Sequence, residues 1–247
     1  DVIISVGGDG TLNQVLNGMM SLAAQHTLPA LGLIPLGSGN DFAGTAKLSA
    51  DVASLIDLLS THQPTLTDIG KVTCQNEKSQ QTVHYFINVC SVGMGPATVQ
   101  RMETLAKWLP AGLKYLLAII QTFLSHTPEQ FELQSGPWHW TGNARVIAIA
   151  NGQSFGNKIF VAPEAAVDDG LFNTFVATDV PLFKFLFYLQ QIKARKKIKD
   201  PGILYLPATH IKLSAYKRTI LEAEGELIGF LPATVEIMPN QIRFYRK

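Results

Sequence analysis

Charged residues are scarce in this chain: Asp, Glu, Lys and Arg make up 16% of its 247 residues and leave a net charge of +1. Without a basic surplus, the protein is not expected to capture nucleic acid by broad electrostatic attraction. Cysteine is equally scarce. Cys74 and Cys90 stand in no metal-binding or redox spacing, so both are expected to be buried apolar side chains in a reducing compartment. The most apolar stretch, residues 113–124, is shorter than the roughly 20 residues that span a bilayer and is predicted to be a buried helix.

Two common nucleotide-binding motifs are missing as well. No Gly-Lys-Ser/Thr stands at the spacing of a P-loop, and no Gly-x-Gly-x-x-Gly follows the first strand. The chain opens instead on an apolar segment, residues 1–6, which is predicted to be a strand covered on both faces. This strand runs into Gly7-Gly8-Asp9-Gly10-Thr11, and from Leu12 onward apolar residues recur at helical spacing.

The turn at Gly7-Gly8-Asp9-Gly10-Thr11 is suited to a polyphosphate. Glycine lets a phosphate approach the backbone closely, and the N-terminus of the following helix presents unpaired N–H groups. The Asp9 carboxylate would repel phosphate unless a divalent cation lay between them, so Asp9 implies Mg²⁺. The alternative is an ordinary strand-to-helix turn whose helix is capped by Asp9 or Thr11.

A second polar loop follows the next predicted strand, Ala30–Pro35. It reads Leu36-Gly37-Ser38-Gly39-Asn40-Asp41, and in a parallel sheet it would open at the same edge as the first loop. Ser38 and Asn40 can donate hydrogen bonds to phosphate or ribose oxygens, and Asp41 would be a second acid near Asp9. The two loops together predict a nucleotide site at this edge.

The predicted fold class combines an α/β part with a β part. With a helix at residues 52–59, the first sixty residues are typical of an open parallel sheet, and a partial ATP-binding domain is expected over 1–64. Beyond it, many short strands separated by turn residues predict a mainly antiparallel β-sandwich or barrel domain over 65–247. Its predicted helical insertions are 97–126, broken at Pro110, and 181–196. Its predicted strands are 68–74, 85–92, 144–150, 171–178, 210–214, 235–238 and 242–245.

The two loops resemble the diacylglycerol kinase catalytic family, and within it the bacterial lipid kinases of the YegS/DgkB/BmrU type. Three later stretches agree with this resemblance, which therefore runs in order along nearly the whole chain. They are Asn88-Val89-Cys90-Ser91-Val92-Gly93-Met94-Gly95, the Ala162-Pro163 to Asp169-Gly170 segment, and Glu224-Gly225-Glu226.

The resemblance implies an ATP-dependent lipid kinase with an NAD kinase-like nucleotide domain and Mg²⁺ as cofactor. In such a kinase, Glu226 would be the general base and Asp9 would help to hold Mg·ATP. Asp169, with the main-chain oxygens of Ala166 and Leu171, would bind a structural Mg²⁺. The ATP contacts would be Gly7, Gly8, Asp9, Gly10, Thr11, Leu12, Asn13, Ser38, Asn40 and Asp41. The expected partners are ATP and a lipid at the membrane surface, and the expected location is the cytoplasmic face of the membrane.

Some features depart from the family pattern. Ser38 replaces the usual Thr, and Glu224 replaces the usual Asp, which leaves Glu226 as the better candidate for the base. Family members also carry another strand–helix section before the first loop, so the chain is expected to hold only part of the nucleotide domain and to be a poor enzyme.

Two alternative functions stay open. One is a kinase of a soluble substrate, of the NAD kinase or phosphofructokinase type, and the other is a non-catalytic nucleotide-binding remnant. The identity of the lipid and the oligomeric state, including a homodimer, also stay open.

Two segments are candidates for lipid contact. Residues 181–192 are rich in aromatics and run into the basic stretch 193–199, which predicts peripheral membrane contact, with a core helix as the alternative. Trp108, Tyr115 and Phe123 could line an acyl-chain cleft together with Leu109, or could belong to the core.

Overall fold

The protein was described from a computed structural model that covers residues 1–23, 26–106, 108–136 and 138–247. Its helices are α1 (Asp9–Leu22), α2 (Asp41–Thr45), α3 (Val52–Thr61), α4 (Met94–Thr104), α5 (Ala111–Ser125) and α6 (Leu182–Lys193). Its strands are β1 (Val2–Gly7), β2 (Ala30–Pro35), β3 (Thr65–Gln75), β4 (Gln81–Phe86), β5 (Val89–Gly93), β6 (Glu129–Ser135), β7 (Trp138–Ala150), β8 (Phe172–Thr178), β9 (Ile203–Ala208), β10 (His210–Ala215), β11 (Ile220–Ala223) and β12 (Glu226–Phe244). The combination of an N-terminal α/β part and a mostly β remainder confirms the predicted fold class.

The N-terminal part is a parallel β–α–β unit. β1 pairs with β2 in register from Val2 opposite Ala30 to Gly7 opposite Pro35, so both strands end side by side. The apolar face of α1 is buried in a cluster that also includes residues of β2, α2 and β12. The expectation that β1 is covered on both faces is wrong, because Val6 is 54% exposed. The physical reason is that β1 pairs only with β2 among the described strands and packs against α1 on one face.

The remaining strands are organised around a closed ring of six antiparallel strands. β12 pairs with β10, β10 with β6, β6 with β7, β7 with β5, β5 with β11, and β11 again with β12. The interior of the ring is filled by apolar side chains that include Phe131, Leu133, Ile147, Ile149 and Leu221. β3 and β4 extend the sheet from β12, and β8 and β9 extend it from β7.

Some predicted strands are divided or joined differently in the structure. The segment predicted as one strand over 85–92 is split between β4 and β5, because backbone groups at the break bond to side chains. The N–H groups of Ile87 and Asn88 donate to Glu224, and the carbonyl of Ile87 accepts from the side chain of Asn151. The segments predicted at 235–238 and 242–245 belong to one strand, β12, whose register shifts between Met238 and Ile242.

The end of β12 returns to the N-terminal sheet, where Phe244 pairs with Leu31 of β2. Helices α4, α5 and α6 pack outside the ring on a second apolar cluster, and the rings of Phe123 and Phe185 stack at 4.2 Å between α5 and α6. None of the helices in the described ranges combines the length and the apolar character that a bilayer span requires.

Candidate active site

The two glycine-containing loops meet at the ends of β1 and β2, as the sequence predicted. The N–H of Leu36 donates to the carbonyl of Gly7 at 2.9 Å. A Cβ at Gly37 would lie 2.3 Å from the Cα of Gly8, so the two backbones are in direct contact. Only glycine at both positions permits this approach.

Asp9 links the first loop to the second. Its two carboxylate oxygens accept hydrogen bonds from the backbone N–H groups of Asp41 and Phe42, each at 3.1 Å. Asp9 therefore satisfies the N-terminus of α2, whereas its own helix begins after Gly8 without a side-chain cap. The reading of Asp9 as an ordinary cap of its own helix does not apply.

Asn40 shapes the second loop from within. Its backbone is left-handed, with φ of 53°, a conformation that Asn tolerates better than most residues. Its side chain accepts from the N–H of Gly37 at 2.9 Å and donates to the carbonyl of Gly37 at 2.7 Å. Asn40 thus supports the loop internally and does not line the neighbouring cavity.

Asp41 ties the second loop to the segment between β7 and β8. Its carboxylate accepts from the hydroxyl of Ser154 at 2.8 Å and from the N–H groups of Asn157 and Lys158 at 2.8 and 2.7 Å. Burial raises the pKa of Asp41, with a smaller contribution from the nearby Asp9 charge, although these hydrogen bonds oppose the shift. Through these hydrogen bonds, Asp41 mainly holds the second loop against the segment between β7 and β8.

The joined loops form one wall of a cavity of about 380 Å³. The opposite side is formed by the start of β5, the first turns of α4, Tyr115 of α5 and the turn before β12. Four carboxylates line it: Asp9, Asp41, Glu222 and Glu224. The remaining lining residues are Gly8, Gly10, Thr11, Gly37, Ser38, Gly39, Asn88, Val89, Gly95, Val99, Met102, Tyr115, Phe155, Gly156, Asn157 and Gly225.

Glu224 faces this cavity from the turn between β11 and β12. It accepts hydrogen bonds from the N–H groups of Ile87 and Asn88 at 2.9 and 2.6 Å. Burial raises the pKa of Glu224 well above its ordinary range, and the charges of Asp9 and Glu222 add to the shift. Burial thus favours the protonated, uncharged form of the Glu224 carboxyl.

Glu222 is a second buried acid on the same wall, 1% exposed. It accepts from the hydroxyl of Ser91 and, at 2.9 Å, from the N–H of Gly225. Burial raises the pKa of Glu222 to about 7. Its hydrogen bond to Gly225 fixes the turn that carries Glu224 and Glu226.

Glu226 lies at the rim of the cavity. It is exposed, and its Oε1 accepts from the side chain of Gln14 at 3.3 Å. A Cβ at Gly10 would lie 3.5 Å from the same oxygen, which puts the carboxylate over the first turn of α1. The fold thus brings Glu226 beside the first loop.

Several predicted nucleotide contacts line the cavity and others do not. Gly8, Asp9, Gly10, Thr11, Ser38 and Asp41 line it. Leu12 is fully buried in the apolar cluster under α1, and Asn13 is 5% exposed and bonds to Asn17. Residues 12 and 13 could therefore meet a nucleotide chiefly through their backbone.

The predicted metal residue Asp169 lies in a separate turn before β8. Its carboxylate accepts from the N–H of Leu171 at 3.0 Å, as in an ordinary polar turn. Burial raises the pKa of Asp169, and the neighbouring carboxylates of Asp68 and Asp168 add to the shift. Within the ranges that the structure covers, no group of three or more His, Cys, Asp or Glu side chains is arranged to hold a metal ion.

Two acids in this architecture were not singled out from the sequence. Glu222 stands in an apolar strand, Ile220-Leu221-Glu222-Ala223, where an isolated acid is a signal that could have been used. Asp68 is fully buried and accepts from the N–H groups of Gly170 and Asn240, both at 2.7 Å. No local pattern marks Asp68, because its partners are about 100 or more positions away along the chain.

Family models match both parts of the chain. The diacylglycerol kinase catalytic domain matches residues 1–72, and the YegS C-terminal NAD kinase β-sandwich-like domain matches residues 88–246. Relatives from Klebsiella pneumoniae (strain 342) and Yersinia pestis (strain Pestoides F), both named "Probable lipid kinase YegS-like", are 27% identical. Each match covers 98% of this chain and 77% of the relative.

Solved structures show the same fold. A diacylglycerol kinase from Bacillus anthracis str. Sterne superposes with a TM-score of 0.70 at 19% identity, over 100% of this chain and 76% of that one. Yeast NADH kinase in complex with NADH superposes with a TM-score of 0.50 at 12% identity, over 99% of this chain and 60% of that one. The two family models match this chain in order, and the match to the YegS C-terminal domain alone covers well over half of the chain. The chain therefore belongs to the YegS-type lipid kinases of the diacylglycerol kinase family.

Proposed function

We propose that this protein transfers the γ-phosphoryl group of Mg·ATP to a hydroxyl group of a lipid, of the diacylglycerol or phosphatidylglycerol kind. The observation that carries the proposal is the Asp9 bridge between the two loops, which joins them into one wall of a carboxylate-lined cavity. The same chain belongs to a lipid kinase family, which favours a lipid acceptor over the soluble substrates of NAD kinase or phosphofructokinase.

The phosphates of ATP would lie at the N-terminus of α1. Backbone N–H groups there are free of side-chain caps, and the hydroxyl of Ser38 faces the same cavity. Asp9 would hold the Mg²⁺ of Mg·ATP, since its oxygens each accept one N–H and keep further lone pairs for a hard cation. The ion would supply charge neutralisation between the carboxylate and the phosphates.

Glu226 would take the proton of the acceptor hydroxyl. As the O–H bond breaks, the hydroxyl oxygen bonds to the γ-phosphorus, and the bond from that phosphorus to the β–γ bridging oxygen breaks to release ADP. Glu224 is less suited to this role, because its carboxyl group already accepts the N–H groups of Ile87 and Asn88, and burial raises its pKa and so favours the protonated form. Its position supports a role as a hydrogen-bond donor to the acceptor or the transferred group.

A structural Mg²⁺ would lie at Asp169, with main-chain oxygens of Ala166 and Leu171. The support is electrostatic: burial raises the pKa of Asp169, the carboxylates of Asp68 and Asp168 add to the shift, and a divalent cation would relieve the repulsion between these charges. One oxygen of Asp169 is committed to the turn, which leaves the other for the ion.

Helix α6 would carry the protein to the cytoplasmic face of a membrane as a peripheral protein. Its inner face, with Tyr188, Leu189 and Ile192, is buried, whereas Phe183 and Phe187 are 72% and 58% exposed. Exposed basic side chains follow at its C-terminal end, at Lys193 and Lys196. An aromatic face with a flanking positive charge suits an anionic lipid surface.

The test is a transfer assay with radiolabelled ATP and a panel of lipids and soluble acceptors, alongside calorimetric binding of Mg·ATP. Glu226→Gln should lower turnover by about a hundredfold or more and leave ATP binding intact, as expected for loss of a general base. Glu224→Gln, which preserves a hydrogen-bond donor, should retain much more activity. If the Glu226→Gln variant kept full turnover, Glu226 would not be the general base. Transfer to NAD alone would favour the soluble-substrate kinase, and ATP binding without any transfer would favour the non-catalytic alternative.

A further inference from the structure

A second polar cavity, of about 280 Å³, lies between α4 and the C-terminal end of α5. Helix α4 separates it from the carboxylate-lined cavity. Gly95, Val99 and Met102 line the carboxylate-lined cavity, whereas Ala97 and Arg101 line the second one. At about 3.6 residues per turn, these two sets occupy opposite faces of the helix. The second cavity is therefore a separate site.

The lining of this second cavity consists almost entirely of hydrogen-bonding side chains. Its polar lining residues are Gln100, Arg101, Thr104, Thr122, Ser125 and His126. Within the described ranges, neither Asp nor Glu lines it. The permanent charge in its wall is therefore the positive one of Arg101.

The guanidinium of Arg101 can take a ligand. It donates to the hydroxyl of Ser125 at 3.2 Å and forms none of the salt bridges between residues that the structure describes. Because a guanidinium carries five N–H donors, several of them stay available for an anion. Ser125 and Gln100 are exposed, so the cavity can be entered from solvent.

Two buried polar atoms of the lining residues have no partner among the described residues. They are Oγ1 of Thr122, a residue only 2% exposed, and Nε2 of His126. Buried polar atoms are nearly always hydrogen-bonded, and an unpaired one indicates a bound water or ion. Burial lowers the pKa of His126 and favours the neutral ring, which can donate from Nε2. A ligand with several acceptor oxygens would satisfy both atoms.

The end of α5 beside this cavity is already neutralised. The carbonyl groups at a helix C-terminus repel anions, but here the guanidinium of Arg145 donates to the carbonyls of Phe123 and His126, at 3.0 and 2.7 Å. The carboxylate beside the His126 ring is Glu129, at 3.8 Å, and it accepts the hydroxyl of Thr219 at 2.7 Å. Glu129 does not line the cavity. An anion inside would therefore face chiefly Arg101 and neutral donors.

We infer that this cavity binds a phosphate group through the guanidinium of Arg101 and the hydroxyl groups of Thr122 and Ser125. A guanidinium can give a phosphate two parallel hydrogen bonds, and a tetrahedral oxyanion has further oxygens for the donors of the second helix. Free phosphate and the phosphate of a lipid head group present the same chemistry. The inference does not depend on the proposed function, because it uses no residue of the nucleotide loops.

The experiment titrates the full chain with inorganic phosphate and with dihexanoylphosphatidic acid, a water-soluble lipid, by isothermal titration calorimetry. Arg101→Gln removes the charge and keeps an amide donor, and it should weaken both probes at least about tenfold. Arg243→Gln makes the same charge change on β12, where the guanidinium donates to the carbonyl of Leu28, and should leave both affinities unchanged. Similar affinities for the two probes would identify free phosphate as sufficient, and tighter binding of the lipid would identify a head group as the source.

Two further positions test the cavity itself. Thr122→Val should weaken both probes severalfold without lowering the melting temperature, because the hydroxyl that it removes has no partner in the described fold. Ala97→Glu puts a carboxylate into the cavity and should abolish binding, whereas Ala97→Gln, of the same length, should retain most of it.

Two results would overturn the inference. One is the absence of phosphate binding by the wild type. The other is binding that Arg101→Gln and Ala97→Glu leave unchanged, which would assign the phosphate to another place, such as the nucleotide loops. A separate transfer assay tests the kinase assignment, and its failure would leave this site standing.

Discussion

Gly8 and Gly37 touch backbone to backbone at the ends of two parallel strands. A Cβ at Gly37 would come within 2.3 Å of the Cα of Gly8 and within 3.1 Å of its nitrogen. Neither neighbour is the flexible end of a side chain, so the contact cannot be relieved by a rotamer change. The two loops therefore behave as one unit, which Asp9 closes from the other side.

Gly37→Ala should separate the two loops. We expect a loss of about 1–3 kcal/mol in the free energy of unfolding, because the added methyl group meets backbone atoms. We also expect Mg·ATP binding to weaken by tenfold or more, since both loops line the phosphate end of the cavity. Urea denaturation and calorimetric titration of Mg·ATP measure the two effects.

Gly18→Ala is the matched control. Gly18 lies within α1, and a Cβ there would meet no atom within 4 Å, so the same substitution should stabilise the protein by up to about 1 kcal/mol through helix propensity. Similar losses of Mg·ATP affinity in the two variants would show that the Gly8–Gly37 contact does not support nucleotide binding.

The buried Glu222 should make stability depend on pH. Its pKa is raised from 4.5 to about 7 by burial. The folded state therefore keeps a proton that the unfolded state has already lost over that interval, and stability falls as pH rises from about 4.5 to 7. The loss amounts to about 2–3 kcal/mol at 1.36 kcal/mol per pKa unit. The titratable groups around Glu222 are Glu224 in the next turn, Cys90 on β5 and Tyr115 on α5.

Glu222→Gln removes this dependence. Urea unfolding of the variant and of the wild type at pH 5 and pH 8 should show that the variant gains about 2–3 kcal/mol relative to the wild type at the higher pH. The comparison cancels contributions from the other acids, because both proteins share them. Parallel stability curves over this range would mean that Glu222 titrates in the fold much as it does in water.

The first loop could be predicted from the sequence because its chemistry is local. An apolar strand, three glycines and an acid in five residues, and a helical apolar pattern specify the turn and the side of the sheet where it opens. The second loop could be assigned to the same edge, since parallel strands end together. That reasoning found Asp9 and Ser38 without any tertiary contact.

The roles of the acids needed the tertiary fold. Gln14 and Glu226 are 212 positions apart, and Asp41 meets Lys158 across 117 positions. Such pairings depend on how β12 closes the strand ring and returns to β2. No local sequence pattern predicts that path. Asp41, which stays a predicted nucleotide contact, also bonds to the segment before β8, and Glu222 bonds to Ser91 across 131 positions.

Mg²⁺ without nucleotide should stabilise the protein through Asp169. Burial raises the pKa of Asp169, and the carboxylates of Asp68 and Asp168 add to the shift, so a bound cation should relieve the repulsion between them and increase the melting temperature by a few degrees. Asp169→Asn should abolish that increase. Asp57→Asn, on the exposed side of α3, should retain it. If Mg²⁺ leaves the wild-type melting temperature unchanged, the proposed structural ion does not bind there.

Membrane binding should depend on the outer face of α6. Phe183 and Phe187 project from this face, whereas Tyr188 on the inner side bonds to Asp200 and Phe185 stacks on Phe123. Replacing Phe183 and Phe187 by Ser removes apolar surface that the fold does not use. Co-sedimentation with vesicles of phosphatidylcholine and phosphatidylserine in equal parts should fall by tenfold or more, with little change in the melting temperature.

The basic residues beyond α6 contribute unequally to this surface. Lys197 pairs with Glu164, and the guanidinium of Arg195 lies 4.2 Å from the centre of the Phe160 ring, so both already have partners in the fold. Lys193→Glu with Lys196→Glu should therefore weaken binding to the anionic vesicles by about 1 kcal/mol for each lysine removed. The difference from the wild type should shrink at high salt, because salt screens exposed charges. Tyr216→Ser, at a residue 77% exposed between β10 and β11, controls for loss of an aromatic side chain elsewhere. Equal binding by all of these variants would assign the outer face of α6 no part in membrane contact.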